Sequence, residues 1–254
     1  MHNLPDISLI CKLTDGSIIK NSVTHETTKI SFRKMNISSL DLTPLSQLSE
    51  LEHFSVSYNP LHKLNLSSLA DCSKLRVLRM TGCALDSIDL TPLSGLVHLE
   101  QLSVSFNNLT KIDLSPLSGS NLEILTINRN NLKSIELGPL ASCPKLKTLN
   151  IGQNLFNSVK LEPLTSCKSL LSLVLNRTNI RSIDLSPLRN LVKLRGLDLS
   201  ENQLKLVDLS VLIQCGEMQE VNLEYNPLET VLVSRGFDCR SLKMNADPEI
   251  KEIE

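Results

Sequence analysis

The stretch 99–117, LEQLSVSFNNLTKIDLSPL, contains the pattern that recurs along most of the chain. Its aliphatic positions are Leu99, Leu102, Val104, Leu109, Ile112, Leu114 and Leu117. This spacing is neither the period of about 3.6 residues of a helix nor a strict alternation. It predicts a short strand, an inward turn at Asn107 and a return over the far side of the same layer. A unit this short cannot bury its apolar side alone, so it needs stacked copies of itself.

Copies of the unit follow one another almost without interruption. They repeat every 24 residues, except that the unit from Leu99 is one residue shorter, and they start at Thr27, Leu51, Leu75, Leu99, Leu122, Leu146, Leu170, Leu194 and Met218. A partial tenth copy has Leu242 and Met244 in its strand. No linker interrupts the series, so we predict one solenoid domain over 27–247, followed by a C-terminal tail over 248–254.

Residues 1–26 do not fit the repeat. Ile7, Leu9, Cys11 and Leu13 alternate with other residues, Asp15-Gly16 is typical of a tight turn, and 18–23 predicts a second strand. We expect a β-hairpin cap that covers both the leucines and the strand edge at the open end of the stack.

Two polar features recur within the units. An asparagine follows the strand in six of nine copies, and a buried amide can satisfy backbone groups of the turn. Cys83 and Thr178 replace it with smaller groups that can bond less. Ser-Pro or Thr-Pro pairs such as Ser115-Pro116 then predict a short helix or a 3₁₀ turn, with the hydroxyl residue as its N-cap and a preceding aspartate adding favourable charge.

The resulting pattern, L-x-x-L-x-L-x-x-N-x-L followed by a DLSPL-type segment, resembles the leucine-rich repeat family. It covers about 27–247 in nine consecutive copies. The resemblance implies an α/β solenoid: a curved horseshoe with a parallel β-sheet on its concave side and short helical or 3₁₀ segments on its convex side. It also implies a scaffold that binds proteins, mostly on the concave face, and it brings no catalytic residues.

The composition argues against several other classes of protein. The net charge of the 254 residues is −1, which speaks against a nucleic-acid partner or a charged membrane surface. No apolar run approaches the length of a membrane span, and the N-terminus has no signal-peptide pattern. We find no phosphate-binding glycine loop, nucleophile elbow or metal-ligand spacing, so we expect neither an enzyme nor a cofactor nor a metal site.

The seven cysteines indicate a reducing compartment. Cys72, Cys143, Cys167 and Cys215 occupy one position of the repeat, where other copies have leucine, and no C-x-x-C pair occurs. Cysteine at such a position acts as a small buried apolar residue. We therefore expect a cytoplasmic location.

Candidate contact residues are those that differ between copies. The residue just before the asparagine position carries two arginines and three of the seven aromatic residues, and these residue types dominate binding hot spots. This row could equally serve only to cover the turn. Together with outward-facing strand residues, the predicted protein-binding surface comprises Tyr58, Arg79, Phe106, Asn128, Arg129, Gln153, Asn176, Arg177, Asp198, Glu201 and Tyr225.

Basic residues of this surface gather toward the N-terminal copies and acidic ones toward the C-terminal copies. This polarity could orient a partner, reflect scattered solubilising charges or drive head-to-tail association. We predict a monomeric, non-enzymatic protein-binding scaffold or adaptor. The alternatives are an extracellular or surface recognition domain and a self-associating structural solenoid.

Overall fold

A computed structural model describes residues 6–253; residues 1–5 of the predicted cap and Glu254 of the predicted tail lie outside that range. The strands, in chain order, are β1 (Ile7–Leu13), β2 (Ile18–Val23), β3 (Lys29–Ser31), β4 (Ile37–Leu40), β5 (His53–Ser55), β6 (Val77–Arg79), β7 (Gln101–Ser103), β8 (Ile124–Thr126), β9 (Thr148–Asn150), β10 (Ser172–Val174), β11 (Gly196–Asp198), β12 (Leu206–Asp208), β13 (Glu220–Asn222), β14 (Thr230–Ser234), β15 (Leu242–Lys243) and β16 (Glu249–Ile253).

One strand from each repeat enters a ten-stranded parallel sheet, which lines the concave side of a curved solenoid. Its order is β3-β5-β6-β7-β8-β9-β10-β11-β13-β15, the order of the chain. Equivalent residues lie side by side; Leu102, for example, has Leu78 and Leu125 as its neighbours. The predicted horseshoe is thereby confirmed, because a period of about 24 residues places each strand in register beside the strand of the preceding repeat.

The core is aliphatic, as the composition predicts. Leucines from every repeat are buried beneath the sheet, and they pack with Phe54 and Phe156, which are at most 1% exposed. Side chains alternate across each strand, so the middle residue of each three-residue strand points into this core and the residues on either side face outward.

The convex side consists of 3₁₀ helices, and residues 6–253 contain no α-helix. Eight of the helices follow the repeat and one follows β14: Thr43–Gln47, Ser67–Asp71, Thr91–Leu93, Ser115–Leu117, Gly138–Ser142, Glu162–Ser166, Ser186–Leu188, Ser210–Gln214 and Cys239–Ser241. A 3₁₀ turn suits these short segments, since tighter turns are used in short pieces.

The prediction that the hydroxyl residue caps each convex helix is wrong. Ser115 is the first helical residue, and the N-cap position is held by Leu114. The leucine side chain has no atom that can accept a hydrogen bond. The acceptor is the preceding aspartate, since Asp113 Oδ1 accepts the Ser115 backbone N–H at 2.8 Å. A carboxylate two residues upstream reaches the first free N–H group, which a hydroxyl on the first helical residue cannot do.

The asparagine ladder is confirmed as structural. The amide of Asn107 donates to the Met80 and Val104 carbonyls, both at 2.9 Å, so it joins two repeats. The three repeats that lack asparagine have Met35, Cys83 and Thr178 instead. The Cys83 thiol still donates to the Val56 carbonyl at 3.3 Å, and the Thr178 hydroxyl to the Leu175 carbonyl at 3.0 Å.

The turns without asparagine have a different backbone. The next residue is left-handed in each of them, with φ of 57° at Asn36, 54° at Ala84 and 64° at Asn179. In each case the asparagine of the following repeat accepts two backbone N–H groups from the altered turn; Asn59, for example, accepts from Met35 and Ile37. One amide therefore compensates for the missing one beside it.

The N-terminal hairpin forms, but it does not extend the repeat sheet. β1 and β2 pair antiparallel, and Ile7, Leu9 and Cys11 join the core, so the hairpin covers the first repeat as expected. β1 then pairs with β4 on the flank that follows the turn, and β3 stays the edge of the ten-stranded sheet. The expectation that the hairpin also covers that edge is wrong. β1 and β4 pair antiparallel at three positions, so this edge of the hairpin is satisfied on the flank and not at the edge of the concave sheet.

The C-terminal end has a comparable flank. β12, β14 and β16 form a parallel three-stranded sheet beyond the turn, and all five residues of β16 pair with β14. The segment predicted as a tail, 248–254, thus contributes a strand over its described part. β15 meanwhile adds the last strand of the concave sheet.

Candidate protein-binding surface

The outward side of the ten-stranded sheet carries small polar residues that bond to one another across repeats. The Ser103 hydroxyl lies 2.7 Å from the Thr81 hydroxyl and 2.8 Å from that of Thr126. Ser105 donates to Asn128 Oδ1 at 2.6 Å, so the predicted contact residue Asn128 belongs to this lateral network. The middle of the concave face is consequently a platform of polar side chains that hydrogen bonds hold in place.

Along one edge of this platform, nine consecutive repeats place a residue in the left-handed backbone region, with φ between 53° and 67°. We call these residues the left-handed row: Lys34, Tyr58, Gly82, Phe106, Arg129, Gln153, Arg177, Glu201 and Tyr225. Glycine adopts this conformation at the least cost, and other residues are strained there. Only one of the nine is glycine. The repetition in the sequence predicted the row but not its backbone strain.

Side chains of the left-handed row contact one another in short groups. The Arg33 guanidinium lies 4.5 Å from the centre of the Tyr58 ring, and Lys34 Nζ lies 5.7 Å from it. Tyr58 in turn covers Gly82, where an added Cβ would lie 2.8 Å from the tyrosine ring. Gly82 therefore makes room for the ring as well as adopting a positive φ.

Two more groups follow along the row. The Arg129 guanidinium lies 4.5 Å from the centre of the Phe106 ring, and Arg177 forms an ion pair of 3.1 Å with Glu201. Phe106 nevertheless stays 41% exposed and Tyr225 66% exposed. The Tyr225 backbone N–H donates to Asn245 Oδ1 at 2.7 Å, which fixes its backbone while its ring faces solvent.

The remaining predicted residues are held by neighbours on the sheet. Arg79 donates to Gln101 Oε1 at 2.7 Å. Asp198 Oδ1 accepts both the backbone N–H and the hydroxyl of Ser200, at 3.0 and 2.6 Å. The Asn176 side chain lies against Gly152, where an added Cβ would come within 2.1 Å of its Oδ1. Gln153 is half-buried in the row. The eleven predicted residues thus share one face, but they form a strip and not a single cluster.

Sequence reasoning missed one feature of this face, a depression of about 520 Å³ around Gly196. Its lining includes Ser172, Val174, Asp198 and Glu220. The nearest atom to an added Cβ at Gly196 is 4.0 Å away, so neither packing nor backbone conformation requires glycine there. A glycine at an outward-facing strand position was the available signal.

A smaller groove lies on the convex side. It encloses about 430 Å³ between the segments 134–138 and 158–163 and is open to solvent. Among residues 6–253 no group of His, Cys, Asp and Glu side chains could hold a metal ion. The helices of that same range are all too short to cross a membrane.

These features define a class of protein, a solenoid of strand–turn–3₁₀ repeats. The family model for the leucine rich repeat matches residues 97–156, 120–180 and 168–228, which together are more than half of the chain. The chain therefore belongs to the leucine-rich repeat family, a family of mostly non-enzymatic scaffolds that commonly bind proteins. No curated protein sequence matches the chain.

Two solved structures with a similar fold come from bacteria. A leucine-rich repeat protein of Leptospira interrogans, LIC12759, superposes with a TM-score of 0.66 at 20% identity, covering 84% of this chain and 52% of its own. The functional domain of InlJ from Listeria monocytogenes, described as including a cysteine ladder, gives a TM-score of 0.56 at 19% identity, covering 92% and 58%. The chain thus spans between half and three fifths of those chains. At these identities the likeness shows the fold alone.

Proposed function

We propose that this chain is a non-enzymatic scaffold or adaptor that holds a protein partner against its concave face, with the left-handed row as the centre of contact. The observation that carries the proposal is the choice of residues in that row. Eight of nine strained positions have a side chain where glycine would cost less, and several of those side chains are aromatic or arginine. Backbone strain that persists at exposed positions favours a role for these residues in contacting a partner.

A purely structural role would require the side chains of the row to cover one another. That role fits Tyr58, which lies over Gly82, and the Arg177–Glu201 ion pair. It does not fit Tyr225, whose ring is the most exposed aromatic side chain of the row. It accounts only partly for Phe106, whose ring has Arg129 beside it and is still substantially exposed.

Site-specific photo-crosslinking tests the proposal. A benzophenone amino acid replaces Phe106 or Tyr225 in turn, and matched variants carry it at Val97 or Val192, which are 53% and 56% exposed on the convex side. Crosslinked partners are then identified by mass spectrometry. We expect one protein to crosslink from the concave positions and not from the convex ones. Crosslinks confined to Val97 and Val192 would refute the proposed surface.

We also propose an intracellular location, and the state of the cysteines supports it. All seven thiols are free, and six of them are buried. The Cys72, Cys143 and Cys167 thiols each donate to a carbonyl of the preceding repeat, which gives them a role that needs no disulfide. The alternative is an extracellular recognition domain. Thiol titration of the denatured, unreduced protein should find seven free thiols, whereas an extracellular domain would show few.

Finally, we propose that the module is monomeric. The hairpin residues Ile7, Leu9 and Cys11 cover the core at one end, and β14 pairs with β16 at the other. Charged ends could still attract one another head to tail. Light scattering across a range of protein and salt concentrations separates the two cases, because charge-driven contacts dissociate as salt rises. A constant monomer mass at low salt is the expected result.

A further inference from the structure

Five cations lie on the concave face of the first five repeats without any carboxylate beside them. We call Lys29, Arg33, Lys34, Arg79 and Arg129 the basic strip. Within residues 6–253, no ion pair involves any of the five. Instead, Arg33 and Lys34 lie over the Tyr58 ring, and Arg129 lies over the Phe106 ring. Arg79 donates a hydrogen bond to the side chain of Gln101, which is neutral.

Elsewhere on the repeat sheet, cations are neutralised by the adjacent repeat. Arg177 pairs with Glu201 at 3.1 Å and Lys243 with Glu220 at 2.6 Å. The difference lies in the sequence: the outward strand positions and left-handed row of the first five repeats contain no aspartate or glutamate. The first carboxylate along this face is Asp198.

Three glutamates, Glu52, Glu100 and Glu123, do precede strands of these repeats, but they lie at the opposite edge of the sheet, and two of them form ion pairs there. Glu100 forms an ion pair with Arg76, and Glu123 with Lys147, both at 2.7 Å. The pKa of Arg76 is raised chiefly by its hydrogen bond to Glu100, with the charges of Glu52 and Glu123 adding to the effect. These carboxylates therefore do not neutralise the positive charges of the basic strip.

We infer that the basic strip binds an acidic, extended polypeptide segment of the protein partner; this inference rests on the proposed function. Carboxylates of that segment would pair with guanidinium groups that have no carboxylate of their own, and apolar parts would lie on the exposed rings of Tyr58 and Phe106. Charge complementarity of this kind speeds association and fixes orientation.

The length of the segment follows from the geometry of the sheet. Strands lie about 4.8 Å apart, so the first and fifth repeats are separated by about 19 Å. An extended chain advances about 3.3 Å per residue, so about six residues cover the strip. A short acidic stretch of the partner is therefore sufficient.

Fluorescence anisotropy with fluorescein-labelled octaglutamate tests the inference on the full chain. The variant R33Q/R79Q/R129Q removes three guanidinium groups of the strip. Its matched control, K111Q/K133Q/R181Q, removes three exposed cations that follow the turns and form no ion pair with any residue from 6 to 253. We expect the strip variant to bind octaglutamate about tenfold or more weakly and the control to match the wild type. Wild-type binding should also weaken as salt rises.

Three results would overturn the inference. The first is that octaglutamate does not bind the wild-type chain. The second is that both variants lose the same affinity, which would mean that only net charge matters. The third is that an oligodeoxythymidylate of matched charge binds the strip more tightly than octaglutamate does, which would assign the strip to nucleic acid.

The same materials separate this inference from the proposed function. If a protein crosslinks at Phe106 while octaglutamate neither binds nor competes with it, the acidic partner chemistry is wrong and the concave contact surface stands. If crosslinks arise only at the convex positions while octaglutamate still binds the strip, the proposed function fails and the chemistry of the strip stands. Circular dichroism and urea unfolding of every variant exclude loss of fold as the cause.

Discussion

The amide oxygen of Asn107 accepts two backbone N–H groups of the neighbouring turn, those of Cys83 at 2.9 Å and Leu85 at 3.0 Å. Asn130, one repeat further on, accepts only one such group, that of Leu109 at 3.1 Å. The difference arises because the repeat before Asn107 has cysteine where the ladder usually has asparagine. Members of one ladder therefore carry unequal shares of its stability.

We predict that Asn107→Ala costs more stability than Asn130→Ala. The first leaves two buried N–H groups without an acceptor and the second leaves one, and each orphaned group costs about 1–3 kcal/mol. Each substitution also removes the N–H donors of the side-chain amide, so the two variants differ mainly in the number of orphaned backbone N–H groups. Urea unfolding followed by circular dichroism should show the larger loss of free energy of unfolding for Asn107→Ala. Equal losses would contradict the compensation between neighbouring repeats.

Gly152 and Gly196, both on the concave face, should respond oppositely to alanine. Gly152→Ala would force a Cβ to within 2.1 Å of Asn176 Oδ1 and 2.9 Å of its backbone oxygen, so we expect a loss of about 1–3 kcal/mol. Gly196→Ala meets only the Ser172 hydroxyl, at an ordinary contact distance of 4.0 Å, and should be neutral or stabilise the fold by up to about 1 kcal/mol. Thermal unfolding of the two variants side by side checks this. A comparable loss at Gly196 would mean that its depression has a structural cause.

The aspartates that cap the convex helices should make stability fall in acid. The backbone N–H and hydroxyl of Ser186 bond to Asp184 and hold its pKa below the usual range, and the hydroxyl and N–H of the residue two positions later lower the pKa of Asp41, Asp89 and Asp113. A lowered folded pKa stabilises the fold above about pH 4, and that contribution disappears as pH falls through the folded value.

Replacing these caps with asparagine tests that sign. Asn65 already occupies the position in one repeat, where its Oδ1 accepts the Ser67 N–H at 2.9 Å, so the amide can make the bond. The variant D89N/D113N/D184N should keep its stability near pH 7 and lose less of it between pH 4 and pH 2 than the wild type. An acid loss as steep as that of the wild type would show that other carboxylates control it.

The cysteines should differ sharply in reactivity. Burial raises the pKa of Cys72, Cys83, Cys167 and Cys215 to about 11, with smaller contributions from neighbouring groups, and Cys239 is exposed. The thiolate is the reactive form, so dithionitrobenzoate at pH 8 should modify one thiol quickly in the folded protein and the other six only after denaturation. Rapid reaction of several thiols in the folded chain would show that the repeats open locally.

Periodicity predicted the solenoid because the leucines, the asparagines and the prolines repeat at fixed spacing and each has a local physical reason. It also predicted the outward row of Tyr58, Phe106 and Tyr225. The left-handed backbone of that row could not be predicted, since eight of its nine residues are not glycine. Local preference there gives way to the hydrogen bonds that join neighbouring repeats.

Other misses have similarly specific causes. Asp113 caps its helix and Ser115 does not, because the position of the cap depends on where the first free N–H group falls, and the sequence left that uncertain by one or two residues. The hairpin pairs with β4 and not with β3, a choice between two strand edges that the alternation of Ile7, Leu9 and Cys11 does not decide. The charge polarity of the face was visible in the sequence, but the contacts of Arg33 with the Tyr58 ring and of Arg129 with the Phe106 ring depend on which residues become neighbours across repeats, which the register of the sheet reveals.

The central claim is that the left-handed row is kept for contact and at a cost to the fold. Glycine at Phe106 and Arg129 removes both side chains and relieves a positive φ of 58° and 57°, respectively. With the crosslinked partner in hand, F106G/R129G should bind it about tenfold or more weakly, while the free energy of unfolding stays within about 1 kcal/mol of the wild type or rises. Unchanged affinity, or affinity lost only in step with stability, would contradict the claim.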